Sequence, residues 1–149
     1  MDDIDRRILD ILQRDSKISQ ARIAETVGLT TPSVNERIKK LETRGFIRRF
    51  TALLDPRLVG MPIVAHVDVV LEHPRFERPF LDEIENLLDV QECYAISGEY
   101  GYRLKLRARD VEHLESLLRE KVQSIRGVAR TRVELSLSIK KDSTLLALG

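Results

Sequence analysis

Residues 19–34 read Ser19-Gln20-Ala21-Arg22-Ile23-Ala24-Glu25-Thr26-Val27-Gly28-Leu29-Thr30-Thr31-Pro32-Ser33-Val34, and the punctuation of this run organises the chain around it. The Ser19 hydroxyl is placed to cap a free backbone N–H at a helix start, and Ile18 before it has the spacing to staple onto Ile23. Gly28 ends that helix, because glycine enters the left-handed backbone region at little cost. Thr30 caps a further helix, with Pro32 in the first turn where no N–H donor is needed. That helix is expected to run to Thr43, ahead of Gly45. Val34, Ile38 and Leu41 make its inward stripe, and Thr31, Ser33, Asn35, Glu36, Lys39 and Lys40 its outward face. A short helix, a glycine turn and a capped second helix with a polar face make a helix-turn-helix.

Upstream, Ile4, Ile8, Leu9, Ile11 and Leu12 form an apolar stripe, with Asp2, Asp3 and Asp5 placed favourably for a helix N-terminus. Downstream, Gly45-Phe46-Ile47-Arg48-Arg49-Phe50-Thr51-Ala52 alternates as a strand does and is expected to supply a wing. Residues 33–49 hold Arg37, Lys39, Lys40, Arg44, Arg48 and Arg49 against Glu36 and Glu42, a local net of +4. Alone, such a run reads equally as a solvated helix face. Beside the turn and its caps, it reads as a surface for double-stranded DNA. Thr31, Ser33, Asn35, Glu36 and Lys39 are then placed for bases or nearby phosphates, and Lys40, Arg48 and Arg49 for the phosphate backbone. The cap residues Ser19 and Thr30 complete the expected DNA-binding set.

The second half has a different rhythm. Leu54-Asp55-Pro56-Arg57-Leu58-Val59-Gly60-Met61-Pro62 interrupts regular structure with two prolines and a glycine, which divides the chain into residues 1–53, a linker 54–62, and residues 63–149. Ile63, Ala65, Val67, Val69 and Leu71 alternate along a strand, opposite Val64, His66, Asp68 and Val70. Helical spacing follows in Phe80, Ile84, Leu87 and Leu88 after Pro79. Val90 to Ser97 reads as a strand, Gly98 to Gly101 as a turn, and Tyr102 to Ala108 as a strand with Leu104 and Leu106 inward. Asp110 caps a helix with Leu114, Leu117, Leu118, Val122 and Ile125, ended by Gly127. A last strand is expected over residues 129–139. Strand, helix, strand, strand, helix, strand is a ferredoxin-like unit, so the fold class is α+β: a winged helix-turn-helix joined to a βαββαβ domain. Two helices cover one face of such a sheet, and burying the open face against a second copy is a natural use of it.

The chain totals 149 residues with 25 basic and 24 acidic side chains, a net of +1. That near-neutral total points away from nucleic acid until it is divided. Residues 1–60 carry 12 basic and 9 acidic groups, a net of +3, and the remainder 13 and 15, a net of −2. The single Cys93 excludes an internal disulfide framework and a multi-cysteine zinc site, as suits a reducing cytoplasm. The longest apolar run, Val64 to Leu71, is broken by His66 and Asp68 and is far short of a membrane span. The acidic start Met1-Asp2-Asp3-Ile4-Asp5 lacks the basic segment of a signal peptide. No Ser-His-Asp set, Walker loop, Gly-x-Gly-x-x-Gly stretch or His-Glu-x-x-His helix is present, so no enzyme activity, catalytic residue, metal or cofactor is expected. His66 and Asp68 on one strand face read as polar sheet surface rather than as metal ligands.

Asp2-Asp3-Ile4-Asp5-Arg6-Arg7-Ile8-Leu9, Arg22-Ile23-Ala24-Glu25-Thr26-Val27-Gly28-Leu29-Thr30, Val34-Asn35-Glu36-Arg37-Ile38-Lys39-Lys40-Leu41-Glu42 and Gly45-Phe46-Ile47 resemble the feast/famine, or Lrp/AsnC, family of prokaryotic transcriptional regulators. The resemblance continues through Leu54-Asp55-Pro56, Val90-Gln91-Glu92-Cys93-Tyr94, Ser97-Gly98-Glu99-Tyr100 and Gly127-Val128-Ala129-Arg130-Thr131-Arg132, and spans nearly the whole chain. It implies a DNA-binding regulator with a C-terminal effector and assembly domain, homodimers that often build octamers, and an amino acid or other small molecule as effector. In the family the effector turn usually reads Gly-Asp-x-Asp. Here it reads Gly98-Glu99-Tyr100-Gly101-Tyr102, with Glu99 as the carboxylate and Gly101 where the second would stand. An effector-independent regulator, and an enzyme like the sirohaem decarboxylases that share this architecture, are the alternatives.

Overall fold

The computed structural model describes residues 1–148 and divides into two compact units. The first is helical, with α1 (Asp3–Arg14), α2 (Gln20–Val27) and α3 (Thr31–Thr43). Each begins at a side-chain cap: Asp2 accepts from the Asp5 N–H, Ser19 from Arg22 and Thr30 from Ser33. Gly28 sits at φ +74°, and its N–H and that of Leu29 both reach the Ala24 carbonyl, which closes α2 and turns the chain into α3. The core is Ile8, Leu12, Ile23, Ala24, Val27, Val34, Ile38 and Leu41. Residues 141–148 group with these helices, and the Gln13 amide exchanges two hydrogen bonds of 2.9 Å with the Leu146 backbone.

The wing differs from expectation. Residues 45–53 form no strand, because no strand among the described residues pairs with them. Instead the N–H groups of Phe46 and Ile47 donate back to the Leu41 carbonyl and close α3, Ile47 packs on the helical core, and Phe46 and Phe50 stay exposed.

The second unit holds β1 (Ile63–Leu71), α4 (Glu77–Glu85), β2 (Val90–Ala95), β3 (Tyr102–Ala108), α5 (Val111–Leu117) and β4 (Val128–Leu135). The strands run antiparallel in the order β2-β3-β1-β4. Ala65, Val67, Val69, Leu104 and Leu106 are sealed under Phe80, Ile84, Leu114, Leu117 and Val122, the face that the two-residue period assigns to the core. Four boundaries depart from expectation. The helix capped by Asp110 ends as an α-helix at Leu117 and continues only as a π-helical turn over Leu118–Val122, so Ile125 packs on the core from beyond it. Asn86 ends α4, donating to the Asp82 carbonyl, so Leu88 lies outside the helix and is 96% exposed. β2 stops at Ala95, two residues before Ser97. β4 stops at Leu135, opposite Ala65; the Ser136 N–H still reaches the Val64 carbonyl, but the chain then leaves the sheet and Leu137 is exposed.

On the open face, β1 places Asp68 between Arg103 on β3 and Arg132 on β4. Both oxygens are engaged by Arg103, at 2.6 and 2.9 Å, and one also by Arg132 at 2.5 Å. These contacts, led by Arg103, hold the Asp68 carboxyl below the usual carboxylate range against the opposing effect of burial. A lowered folded value means that its stabilisation is present above the unfolded pKa of about 3.9 and is lost as pH falls through the folded value. We therefore expect Asp68→Asn to flatten the fall in urea midpoint below about pH 4. An acid limb identical to that of the parent chain refutes the assignment.

Candidate nucleic-acid interface and effector turn

The exposed side of α3 follows from its buried one. With Val34, Ile38 and Leu41 inward, Thr31, Glu36, Lys39 and Lys40 are exposed, and Ser33 and Asn35 are half-buried at the margins. The polar set is not equally available. The Thr30 and Ser33 hydroxyls lie 2.9 Å apart and share the cap, while Ser19 is engaged at the start of α2. Asn35 accepts from the Gln20 side chain at 3.4 Å, which leaves its amide donors for another partner. Lys40 meets Glu36 at 2.6 Å and holds that carboxyl below its ordinary range. Among the described residues, Lys39, Arg48 and Arg49 make no ion pair. The chain therefore presents Lys39 on the helix and Arg48 and Arg49 beyond its C-terminal end as exposed cations free for phosphate.

Arg37 departs from the charge tally of residues 33–49. Its Nη1 reaches Asp2 and Asp5 of the α1 start at 2.7 Å each, so its charge is spent inside the helical unit. Arg44 lies over the Phe46 ring, 5.0 Å from its centre. Nothing in spacing reveals the Arg37 contact, because its partners lie 32 and 35 residues away.

In the second unit, the turn between β2 and β3 brings together some of the expected effector residues and separates others. Gly98 sits at φ +115°, where glycine is favoured, but Gly101 does not have a positive φ, and a Cβ there would meet nothing within 4 Å. The Glu99 carboxylate accepts from Arg130 on β4. The Tyr100 ring lies under Arg130 and Arg132, 5.1 and 4.8 Å from their guanidinium carbons. Arg132 also holds Asp68, so turn and open sheet face share one charged network. Tyr102 belongs elsewhere: its ring packs on Phe80 at 5.2 Å and its hydroxyl donates to Glu77, which pushes the phenol up to about 12 and keeps it protonated. Sequence reasoning missed Arg130 and Arg132. Their only signal is the alternation on the last strand, and only the strand order carries them to the turn.

No group of three or more His, Cys, Asp and Glu able to hold a metal occurs among the described residues, and no helix there is long and apolar enough to cross a membrane.

Comparison with known proteins agrees with this layout. Residues 1–42 match the AsnC-type helix-turn-helix domain and residues 62–146 the Lrp/AsnC ligand binding domain. The chain is 34% identical over 150 aligned positions to the leucine-responsive regulatory protein of Escherichia coli K12, across 99% of this chain and 92% of that one. A transcriptional regulator from Neisseria meningitidis, solved in complex with L-Met, superposes with a TM-score of 0.94 at 26% identity, over 99% of this chain and 97% of the other. An AsnC family transcriptional regulator from Agrobacterium tumefaciens gives 0.92 at 31% identity over 99% and 97%. Helices capped where a helix-turn-helix requires, a βαββαβ unit with a charged turn, and matches to both halves of one architecture lead to one statement: the chain belongs to the Lrp/AsnC family of DNA-binding transcriptional regulators, with a helix-turn-helix domain followed by a ligand binding domain.

Proposed function

We propose that α3 is the recognition helix, with Thr31, Ser33, Asn35, Glu36 and Lys39 at the bases or adjacent phosphates, and Lys40, Arg48 and Arg49 on the backbone, flanked by the caps Ser19 and Thr30. The observation that carries this reading is the set of exposed cations with no ion-pair partner among the described residues, Lys39 on α3 and Arg48 and Arg49 beyond its C-terminal end. Two copies, joined through their open sheet faces and extending to octamers, would set two such helices in successive major grooves of a promoter or operator in the cytoplasm. The test is binding to a duplex selected from random sequence by the parent chain. Asn35→Ala is expected to change the preferred sequence, since an asparagine amide reads adenine by paired hydrogen bonds, with a loss of about 1–3 kcal/mol on the parent site. Uniform weakening on every duplex refutes the base-reading role.

At the effector turn, the Glu99–Arg130 pair supports an exchange mechanism. An amino acid carries both charges, so its ammonium can take Glu99 while its carboxylate takes Arg130, and the ligand seats itself by replacing one ion pair with two. Binding there would shift the population of assembled states and thereby operator occupancy. The same pair favours a second reading, a regulator without effector, because Glu99 is already satisfied. A thermal-shift series over the amino acids separates the two, since a ligand bound only to the folded chain raises the midpoint.

A further inference from the structure

Arg37 is the one cation of α3 turned to the interior of the helical unit. It follows Val34 by three residues and precedes Leu41 by four, so it borders the buried stripe on the side of α1. Its Nη1 sits 2.7 Å from Asp2 Oδ2 and 2.7 Å from Asp5 Oδ1. The remaining carboxylate oxygens hold the start of α1: Asp2 Oδ1 accepts from the Asp5 N–H at 2.8 Å, and Asp5 Oδ2 from the Asp2 N–H at 3.1 Å. All four oxygens are thus used in one closed set, with Asp5 only 9% exposed.

Apolar packing alone lets helices slide and rotate, since it is not directional. Charge-assisted hydrogen bonds are directional, and this set joins the first turn of α1 to the middle of α3. We propose that Arg37 is a positioning residue for sequence recognition: clamped to Asp2 and Asp5, it fixes the angle of α3 on α1, and so the aim of Thr31, Asn35 and Lys39, without touching DNA. This rests on α3 being the reading helix. A phosphate contact and a clamp make opposite demands on the acidic partners, because beside a phosphate an aspartate only repels, whereas in a clamp it is required.

The experiment uses the full chain with the selected duplex and a random-sequence duplex across a salt series, and compares Arg37→Met, Asp5→Asn and the double variant. For a clamp, each single variant weakens the selected duplex at least about fivefold, the size of one lost base contact, while the salt slope stays that of the parent. Asp5→Asn does so although it removes a negative charge, and the double variant is no worse than the weaker single one, since both remove the same interaction. For a phosphate contact, Arg37→Met lowers the salt slope by about one per copy and weakens both duplexes alike, while Asp5→Asn leaves or tightens binding; that result overturns the proposal, as do additive losses in the double variant. Thermal unfolding identifies a variant lost to misfolding, and Asp2→Asn, whose side chain is 54% exposed, then removes one arm of the clamp under the same criteria. Asn35→Ala runs alongside. If it leaves sequence preference unchanged, the assignment of α3 has failed; if it changes preference while Asp5→Asn does nothing, only the clamp has failed.

Discussion

Gly127→Ala will lower the stability of the sheet unit by about 2–5 kcal/mol, through strain and overlap together. Gly127 sits at φ +91°, and an added Cβ would lie 2.2 Å from Cγ, 2.4 Å from Cβ and 2.6 Å from Cδ2 of Phe76. A left-handed backbone costs a non-glycine residue about 1–2 kcal/mol. Forcing extra volume into a filled site typically costs about 1–3 kcal/mol more. Relief is hard to find, because the contact involves the Cβ and Cγ of Phe76, which no rotation of the ring moves away. Backbone movement is also opposed: the Gly127 carbonyl accepts from the Glu72 N–H at 2.8 Å, and Phe76 is buried, with Arg75 and Arg126 beside its ring. Against a total stability of about 5–15 kcal/mol, the loss should appear as a drop of about 10 °C or more in the unfolding midpoint. Gly101→Ala is the control, with open space and no positive φ, and should stay within about 0.5 kcal/mol of the parent. Equal midpoints for the two variants would sink this account.

The same residue shows what a linear reading can reach. A glycine after a helical stripe announces the end of the helix, so the turn at Gly127 is legible, but its closeness to Phe76 joins positions 51 residues apart and has no local trace. Caps are the most legible features. Ser19, Gly28 and Thr30 mark the helix boundaries because each acts on backbone groups within a turn of itself. Alternation is legible only where a partner exists: Ala65, Val67 and Val69 face the core because β3 and β4 flank β1, whereas residues 45–52 alternate equally and form no strand.

Charge is the least legible property at the two candidate sites. Residue types place Arg37 and Lys40 in a basic run and Glu99 in an effector turn, but an ion pair depends on which side chains meet. Arg37 belongs to Asp2 and Asp5, Lys40 to Glu36 and Glu99 to Arg130. A local net charge therefore overstates what a partner can use. The cations that count for DNA are those not already neutralised within the chain.

That distinction sets the second large effect. Arg48→Ala combined with Arg49→Ala removes two exposed cations from each copy, neither with an ion-pair partner among the described residues. Each phosphate contact contributes about 0.9 to the slope of log affinity against log salt. The slope should fall by about two per bound copy, and affinity at about 0.1 M salt by roughly a hundredfold per copy, on selected and random duplexes alike. Lys40→Ala should behave differently. Its ammonium lies 2.6 Å from Glu36 Oε1, so it neutralises a carboxylate before any phosphate and releases less counterion on binding. The slope change for Lys40→Ala is accordingly expected to be less than half that of Arg48→Ala alone. Equal changes would mean that the Glu36 pair opens on DNA at no cost, and an unchanged slope in the double variant would remove Arg48 and Arg49 from the interface. Residues 1–60 carry a net charge of only +3, and the double variant would leave +1, which is why the loss of two should weigh so heavily.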